Sequence, residues 1–222
     1  MIENRRRFYN LFNYDYRDLV SAVQVHGSDL ALFGEAQRGE GALPDSARRK
    51  CDALVTTTAG LPLTAYAADC MLIYFASTQK PLVALAHAGW RGTLGGIGVK
   101  VIHYLQERFG ADPGRLLVGL SPAVCRHCYQ VDDKVAGQFR MAGWDEPAYL
   151  EQSETGDWKL DLSAINAGQI LSTGVKEENL VLNNWCTCCN PDLFYSYRRD
   201  KGVTGRMVGF ISISSHPGGG KA

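Results

Sequence analysis

The stretch Pro81-Leu-Val-Ala-Leu-Ala-His87-Ala-Gly-Trp-Arg-Gly92-Thr-Leu94 decides the fold class. An apolar run leads to His87, glycines bracket Trp90-Arg91, and Leu94, Ile97, Val101, Leu105 and Phe109 then recur at three- and four-residue intervals. A short apolar run bounded by glycine reads as a buried strand, and the 3.6-residue spacing reads as a helix. The segment is thus strand, tight glycine turn, helix, with Thr93 as the expected N-cap and Gly110 as the residue that closes the helix.

Working outward, residues 53–57 and 63–75 are further apolar runs, the second interrupted by Asp69-Cys70. Upstream, residues 3–16 read as a short surface helix, 19–25 as a strand stopping at His26-Gly27, and 34–50 as a polar surface excursion. Downstream, 116–120, 129–131 and 180–182 read as strands and 161–174 as a helix. Residues 193–197 and 207–213 read as an antiparallel hairpin turning at Asp200-Lys-Gly202, and 214–222 as a flexible tail. Strands outnumber helices and repeats are absent, so the expectation is one α+β domain over residues 1–222.

Lys+Arg and Asp+Glu each number 23 among 222 residues, and the zero formal charge lacks the positive field of sequence-independent nucleic-acid binding. No apolar run is long enough to span a bilayer, and the basic start lacks the apolar core of an export signal. A cytoplasmic protein with no nucleic-acid or membrane partner is expected, its seven cysteines reduced.

His26, Cys70 and His87 each end or interrupt an apolar strand beside a Gly or Asp, where a side chain can project into a cleft. Two imidazoles and a thiolate are zinc-type ligands, but their spacing matches no finger pattern, and two hydrogen-bonded histidines with a buried thiol is the plain alternative. Arg91, between a strand and a helix, is placed to meet an anion, or else is a surface residue of a tight connection. Cys125-x-x-Cys128 with Cys186-x-Cys188-Cys189 admits a structural zinc site or a redox pair. The second motif reads as lacking a knuckle's two-residue gap, and inert thiols are the favoured reading. Arg198, Arg199 and Arg206 near Tyr195 and Tyr197 read as a solvated hairpin end in preference to a phosphate grip.

Taken in order, Gln24-Val-His26-Gly27, Asp52-Ala-Leu-Val-Thr56, Ala68-Asp-Cys70, His87-Ala-Gly-Trp-Arg-Gly92, Cys128-Tyr-Gln-Val131, Asp161-Leu with Asn166 and Gln169, Cys186-Thr187, Phe194-Tyr-Ser-Tyr-Arg-Arg-Asp200 and Thr204-Gly-Arg206 resemble the motifs of the YfiH or laccase-domain family. The resemblance implies an α+β sandwich of mixed sheets flanked by helices, with zinc held by His26, Cys70 and His87. It departs from the family at Arg126-His127-Cys128 and in lacking the family's usual N-terminal segment. The activities it implies are purine nucleoside phosphorolysis (adenosine, inosine, methylthioadenosine) with adenosine deamination, or copper-dependent oxidation of phenols.

On the first reading Asp69 and Arg91 carry catalysis, Asp69 by orienting a ligand or moving a proton, and Gln24, Arg91 and Arg198 meet nucleoside and phosphate. On the second, two His and one Cys would hold copper, yet Met71 should point away from Cys70 and five histidines are too few for an imidazole-rich trinuclear cluster. A third reading, a non-catalytic module stapled by zinc, needs a fourth ligand such as Cys51, Cys125 or His127.

Overall fold

The near-continuous apolar runs reflect a central sheet buried on both faces. A computed structural model of the chain describes residues 2–154 and 156–214, and the expected tail lies, from residue 215 on, outside the described residues. In chain order the strands are β1 (Val20–Ser21), β2 (Leu30–Leu32), β3 (Ala53–Thr56), β4 (Leu63–Ala67), β5 (Met71–Ser77), β6 (Val83–Ala88), β7 (Leu116–Leu120), β8 (Gln130–Val131), β9 (Leu150–Gln152), β10 (Trp158–Leu160), β11 (Leu180–Val181) and β12 (Met207–Ile211). The helices are α1 (Ile2–Asn10), α2 (Trp90–Leu94), α3 (Ile97–Phe109), α4 (Asp133–Met141) and α5 (Leu162–Leu171).

The central sheet runs β11-β7-β5-β6-β3-β2, parallel at both edges and antiparallel between. Alternate residues face opposite layers. Ala53, Val55, Met71, Ile73, Phe75, Ala84 and Ala86 pack under Ile97, Val101 and Leu105 of α3 and Ile170 of α5. Leu54, Leu72, Val83 and Leu85 pack against Leu63, Ala65 and Ala67 on the small sheet β1-β4-β12. The two sheets approach so closely at Gly209 on β12 that a Cβ there would strike the Tyr74 hydroxyl and Leu72. The result is the expected mixed-sheet sandwich flanked by helices.

Three local expectations are corrected. Thr93 caps no helix: α2 begins behind Gly89, and the fully buried Thr93 accepts from Asn166 Nδ2 at 2.9 Å through Oγ1. The helix that follows, α3, starts behind Gly96 in the left-handed region and ends, as expected, at a left-handed Gly110. Residues 193–197 form irregular backbone between turns instead of a hairpin strand. Within the segment the Phe194 carbonyl is taken by the Arg199 guanidinium, and just past it Asp69 accepts the Arg198 N–H. Only Val20–Ser21 of the 19–25 run is strand, because Gln24 pairs with β4 through its side chain, donating to and accepting from the Tyr66 backbone at 2.8 and 2.9 Å.

A third sheet, β8-β10-β9, with α4 packed on it around Phe139, Leu150 and Leu160, had only its first strand legible in sequence.

Candidate metal centre and cavity

The site grows from one buried carboxylate. Asp52, at the entrance to β3, is wholly buried and accepts the backbone N–H groups of Val25 (3.2 Å), His26 (3.0 Å) and Gly27 (2.7 Å). Those bonds hold His26 at φ 59°, a left-handed conformation that costs a non-glycine residue energy unless its surroundings enforce it. Asp52 Oδ1 also meets His87 Nδ1 at 2.9 Å. An ionised carboxylate can only accept, so Nδ1 keeps its proton and Nε2 is the nitrogen that would ligate, giving up any proton it carries as the metal binds.

Cys70 lies in the turn between β4 and β5, behind Asp69, which has a φ of 86°. The β5–β6 register sets Leu72 opposite His87 and Met71 opposite Ala88, which carries Cys70 to the Gly89 end of β6. The ligand atoms of His26, Cys70 and His87 all lie within 4.8 Å of one another, and the two imidazole rings stand 4.9 Å apart at 83°. Burial opposes ionisation of the Cys70 thiol, but hydrogen bonds with His26 and His87 outweigh it and bring it down to about 7. Burial likewise opposes protonation of His87, yet Asp52 and Cys70 hold it up to about 9.

A thiolate held among imidazoles over a buried carboxylate is a donor set arranged around positive charge, and it fits a divalent ion of the zinc or copper type. Among the described residues no fourth His, Cys, Asp or Glu joins the three. Cys51 is in the apolar layer between the sheets, and Cys125 belongs to a different group.

Gly89 makes the cluster possible. A Cβ there would stand 3.1 Å from Cys70 Sγ and 3.3 Å from His26 Cδ2. Gly89→Ala is expected to push both donors aside and weaken metal binding roughly tenfold, the low end of what disturbing a ligand's support costs. Competition with a chromogenic chelator measures it, and unchanged affinity would show the crowding to be harmless.

The three side chains line a cavity of about 700 Å³, whose walls include Trp90, Tyr129 and Tyr197 and the cations Arg91, Arg198, Lys201 and Arg206. Arg91 lies over the Trp90 ring at 4.2 Å. Arg198 lies 5.2 Å from the Tyr129 ring centre and donates to the Gln130 carbonyl at 2.8 Å. Asp69 and Gln24 line the same cavity with their polar atoms engaged. Asp69 Oδ1 accepts from Thr187 Oγ1 and Oδ2 from the Arg198 N–H, both at 2.6 Å, and the Gln24 amide is taken by Tyr66.

Of the arginine trio, Arg198 and Arg206 reach the cavity, whereas Arg199 pairs with Asp200. Sequence reasoning assigned no role to Asp52, Trp90, Tyr129 or Lys201. The signal for Asp52 was a lone acid directly preceding an apolar strand.

These features define a class: an α/β sandwich with a His/Cys/His metal-type centre open to a cationic, aromatic cavity. The model of the multi-copper polyphenol oxidoreductase laccase family matches residues 1–214, and the chain belongs to that family. It is 38% identical over 213 residues to the purine nucleoside phosphorylase YlmD of Geobacillus stearothermophilus, covering 95% of this chain and 78% of that protein. The crystal structure of YlmD from the same organism superposes with a TM-score of 0.91 at 36% identity, over 96% of this chain and 80% of that one. A protein from an unknown prokaryotic organism named adenosine deaminase RL5 is 33% identical over 187 residues, 83% of this chain and 71% of its own. Among the described residues no helix is long and apolar enough to cross a membrane.

Proposed function

We propose that this protein is a metal-dependent purine nucleoside phosphorylase that also deaminates adenosine, with its metal held by His26, Cys70 and His87. The observation that carries the reading is the convergence of those donors in a cavity that also presents aromatic faces and four cations. A volume of about 700 Å³ suits a nucleoside with phosphate, and the names of the relatives support the same substrates.

A bound zinc ion supplies Lewis acidity, the chemistry that both phosphorolysis and hydrolytic deamination can use. The chain's own groups do the rest. In phosphorolysis a phosphate oxygen bonds to C1′ of the ribose while the C1′–N9 bond breaks and its electron pair leaves with the purine. Arg91, Arg198, Lys201 and Arg206 bind the phosphate and offset its charge. Trp90, Tyr129 and Tyr197 offer flat faces to the base.

Asp69 enters as a positioning residue, since orienting its neighbours is what its two hydrogen bonds support. Gln24 fixes the approach to His26 from the β4 side.

Copper oxidation of phenols is favoured by the description of the family. Against it, Met71 is fully buried in the layer under α3, away from the centre, so no axial thioether is offered to a copper ion.

Zinc- and copper-loaded protein incubated separately with adenosine or inosine plus phosphate, and with a phenol, tests the reading. Free base and ribose 1-phosphate from the zinc form, with inosine formed from adenosine, are expected, and all are lost in His87→Ala. Phenol oxidation by the copper form alone would replace the proposal with the oxidase, and inactivity in every case would leave a non-catalytic module.

Replacing the Arg91 charge, as Arg91→Met, is expected to raise KM for phosphate by about 10-fold, the lower end of what a charge-assisted hydrogen bond of roughly 1.5–3 kcal/mol implies. KM for the nucleoside should change little. Equal rises in both would remove Arg91 from phosphate binding.

A further inference from the structure

Four more donors meet outside the cavity lining. The Sγ atoms of Cys125, Cys128, Cys186 and Cys189 all lie within 4.8 Å of one another, with Cys128 and Cys189 at 3.3 Å. They come in two pairs, each three residues apart, and corresponding members of the two pairs lie 61 positions apart in the chain. The second pair is itself a Cys-x-x-Cys, Cys186-Thr-Cys188-Cys189, with Cys188 as a spacer outside the group. The missing two-residue gap was therefore a misreading of which cysteines belong together.

The backbone brings the two turns into register. Ala123 and Cys186 form a parallel bridge, Thr187 N–H donates to the Ala123 carbonyl at 3.0 Å, and Cys125 N–H points at Cys186 Sγ at 3.3 Å. An N–H aimed at sulfur stabilises a thiolate, and paired Cys-x-x-Cys turns are the usual frame of a closed tetrahedral zinc site. Zinc–sulfur bonds of about 2.3 Å give sulfur–sulfur edges of roughly 3.8 Å, within reach of the spacing seen here. Core packing does not account for the group, since Cys189 is exposed and only Cys186 is buried.

We propose that Cys125, Cys128, Cys186 and Cys189 bind one structural zinc ion, separate from the His26/Cys70/His87 centre. Binding exchanges the thiol protons for the metal: four S–H bonds give four Zn–S bonds, and the protons pass to solvent. The ion ties the turn after β7 to the segment at 186–189. Both turns reach the cavity through their neighbours. Thr187 Oγ1 donates to Asp69, Val124 N–H donates to the Asp69 carbonyl, and Tyr129, next to Cys128, lines the cavity. The site would hold one wall of the cavity in place without touching substrate.

The test is metal counting on full-length protein purified anaerobically without chelators. Wild type is expected to carry two zinc ions per chain. The variant His26→Ala/Cys70→Ser/His87→Ala should keep one, and Cys128→Ser/Cys189→Ser should lose the other. Cobalt substituted into the first variant should show the strong thiolate-to-metal absorption of an all-sulfur tetrahedral site. The cobalt spectrum of wild type, which carries the all-sulfur signature whether or not the triad is loaded, decides the matter if either variant does not fold. Zinc absent from the triad variant, zinc that Cys128→Ser/Cys189→Ser retains in full, or a Cys128–Cys189 disulfide in the anaerobic mass spectrum would each overturn the proposal. None of these outcomes depends on whether the protein is a phosphorylase.

Discussion

Cys70→Ser is expected to abolish the proposed nucleoside phosphorolysis while leaving the fold in place. An alcohol at neutral pH is a far weaker ligand than a thiolate, so affinity at the His26/His87 centre should fall by more than the roughly 10–100-fold that follows loss of a supporting residue. Lewis-acid assistance is worth several kcal/mol, which at tenfold per 1.36 kcal/mol puts the fall in kcat/KM at about 10³-fold or more. The side chain is near-isosteric and sits in a turn, so the thermal midpoint should move by only a few degrees. Steady-state kinetics with zinc at a fixed free concentration, beside elemental analysis, checks both halves. A variant that loses metal and keeps full phosphorolysis would separate the reaction from the centre, and one that keeps metal and loses activity would make Cys70 more than a ligand.

The parts of this molecule that were legible in sequence are those encoded within a few residues. The strand-turn-helix at His87 was readable because apolar periodicity switches there within one short segment. His26, Cys70 and His87 stood out as polar residues interrupting apolar runs, and the structure brings all three together.

What escaped depends on contacts between distant segments. Asp52 gains its meaning only because the 25–27 turn folds onto the start of β3. Residues 193–197 alternate as a strand should, yet the Phe194 carbonyl goes to Arg199 and the chain is pinned directly after the segment where Asp69 accepts the Arg198 N–H. The strands β9 and β10 span three residues each, too short for periodicity to register. The four-cysteine group joins turns 61 residues apart, and an adjacent pair, Cys188-Cys189, disguised its spacing.

Asp52→Asn should do the second-largest damage, in a way that separates positioning from packing. Asp52 Oδ1 accepts from the His26 N–H and faces His87 Nδ1, while Oδ2 accepts from the Val25 and Gly27 N–H groups. An amide has one acceptor and one donor end, so in either orientation its NH₂ meets two groups that were donating. Turned towards Val25 and Gly27, it leaves two part-buried N–H groups opposed, at a cost of up to about 1–3 kcal/mol for each unsatisfied group. Turned the other way, it is relieved at His87 only if that imidazole moves its proton from Nδ1 to Nε2, which closes the nitrogen that should face the metal. Either route loosens the left-handed turn at His26 or occupies the donor of His87. Metal affinity should therefore fall by roughly 10–100-fold, as for other residues that orient ligands. The fold should survive, since the core layers on both faces of the central sheet are untouched. Asp52→Ala lacks even the remaining acceptor and should be less stable than Asp52→Asn. Chelator competition and thermal unfolding read the two effects apart. An Asn variant that binds zinc as tightly as the parent chain would mean that the Asp52 carboxylate supports the turn alone and does not set the protonation of His87.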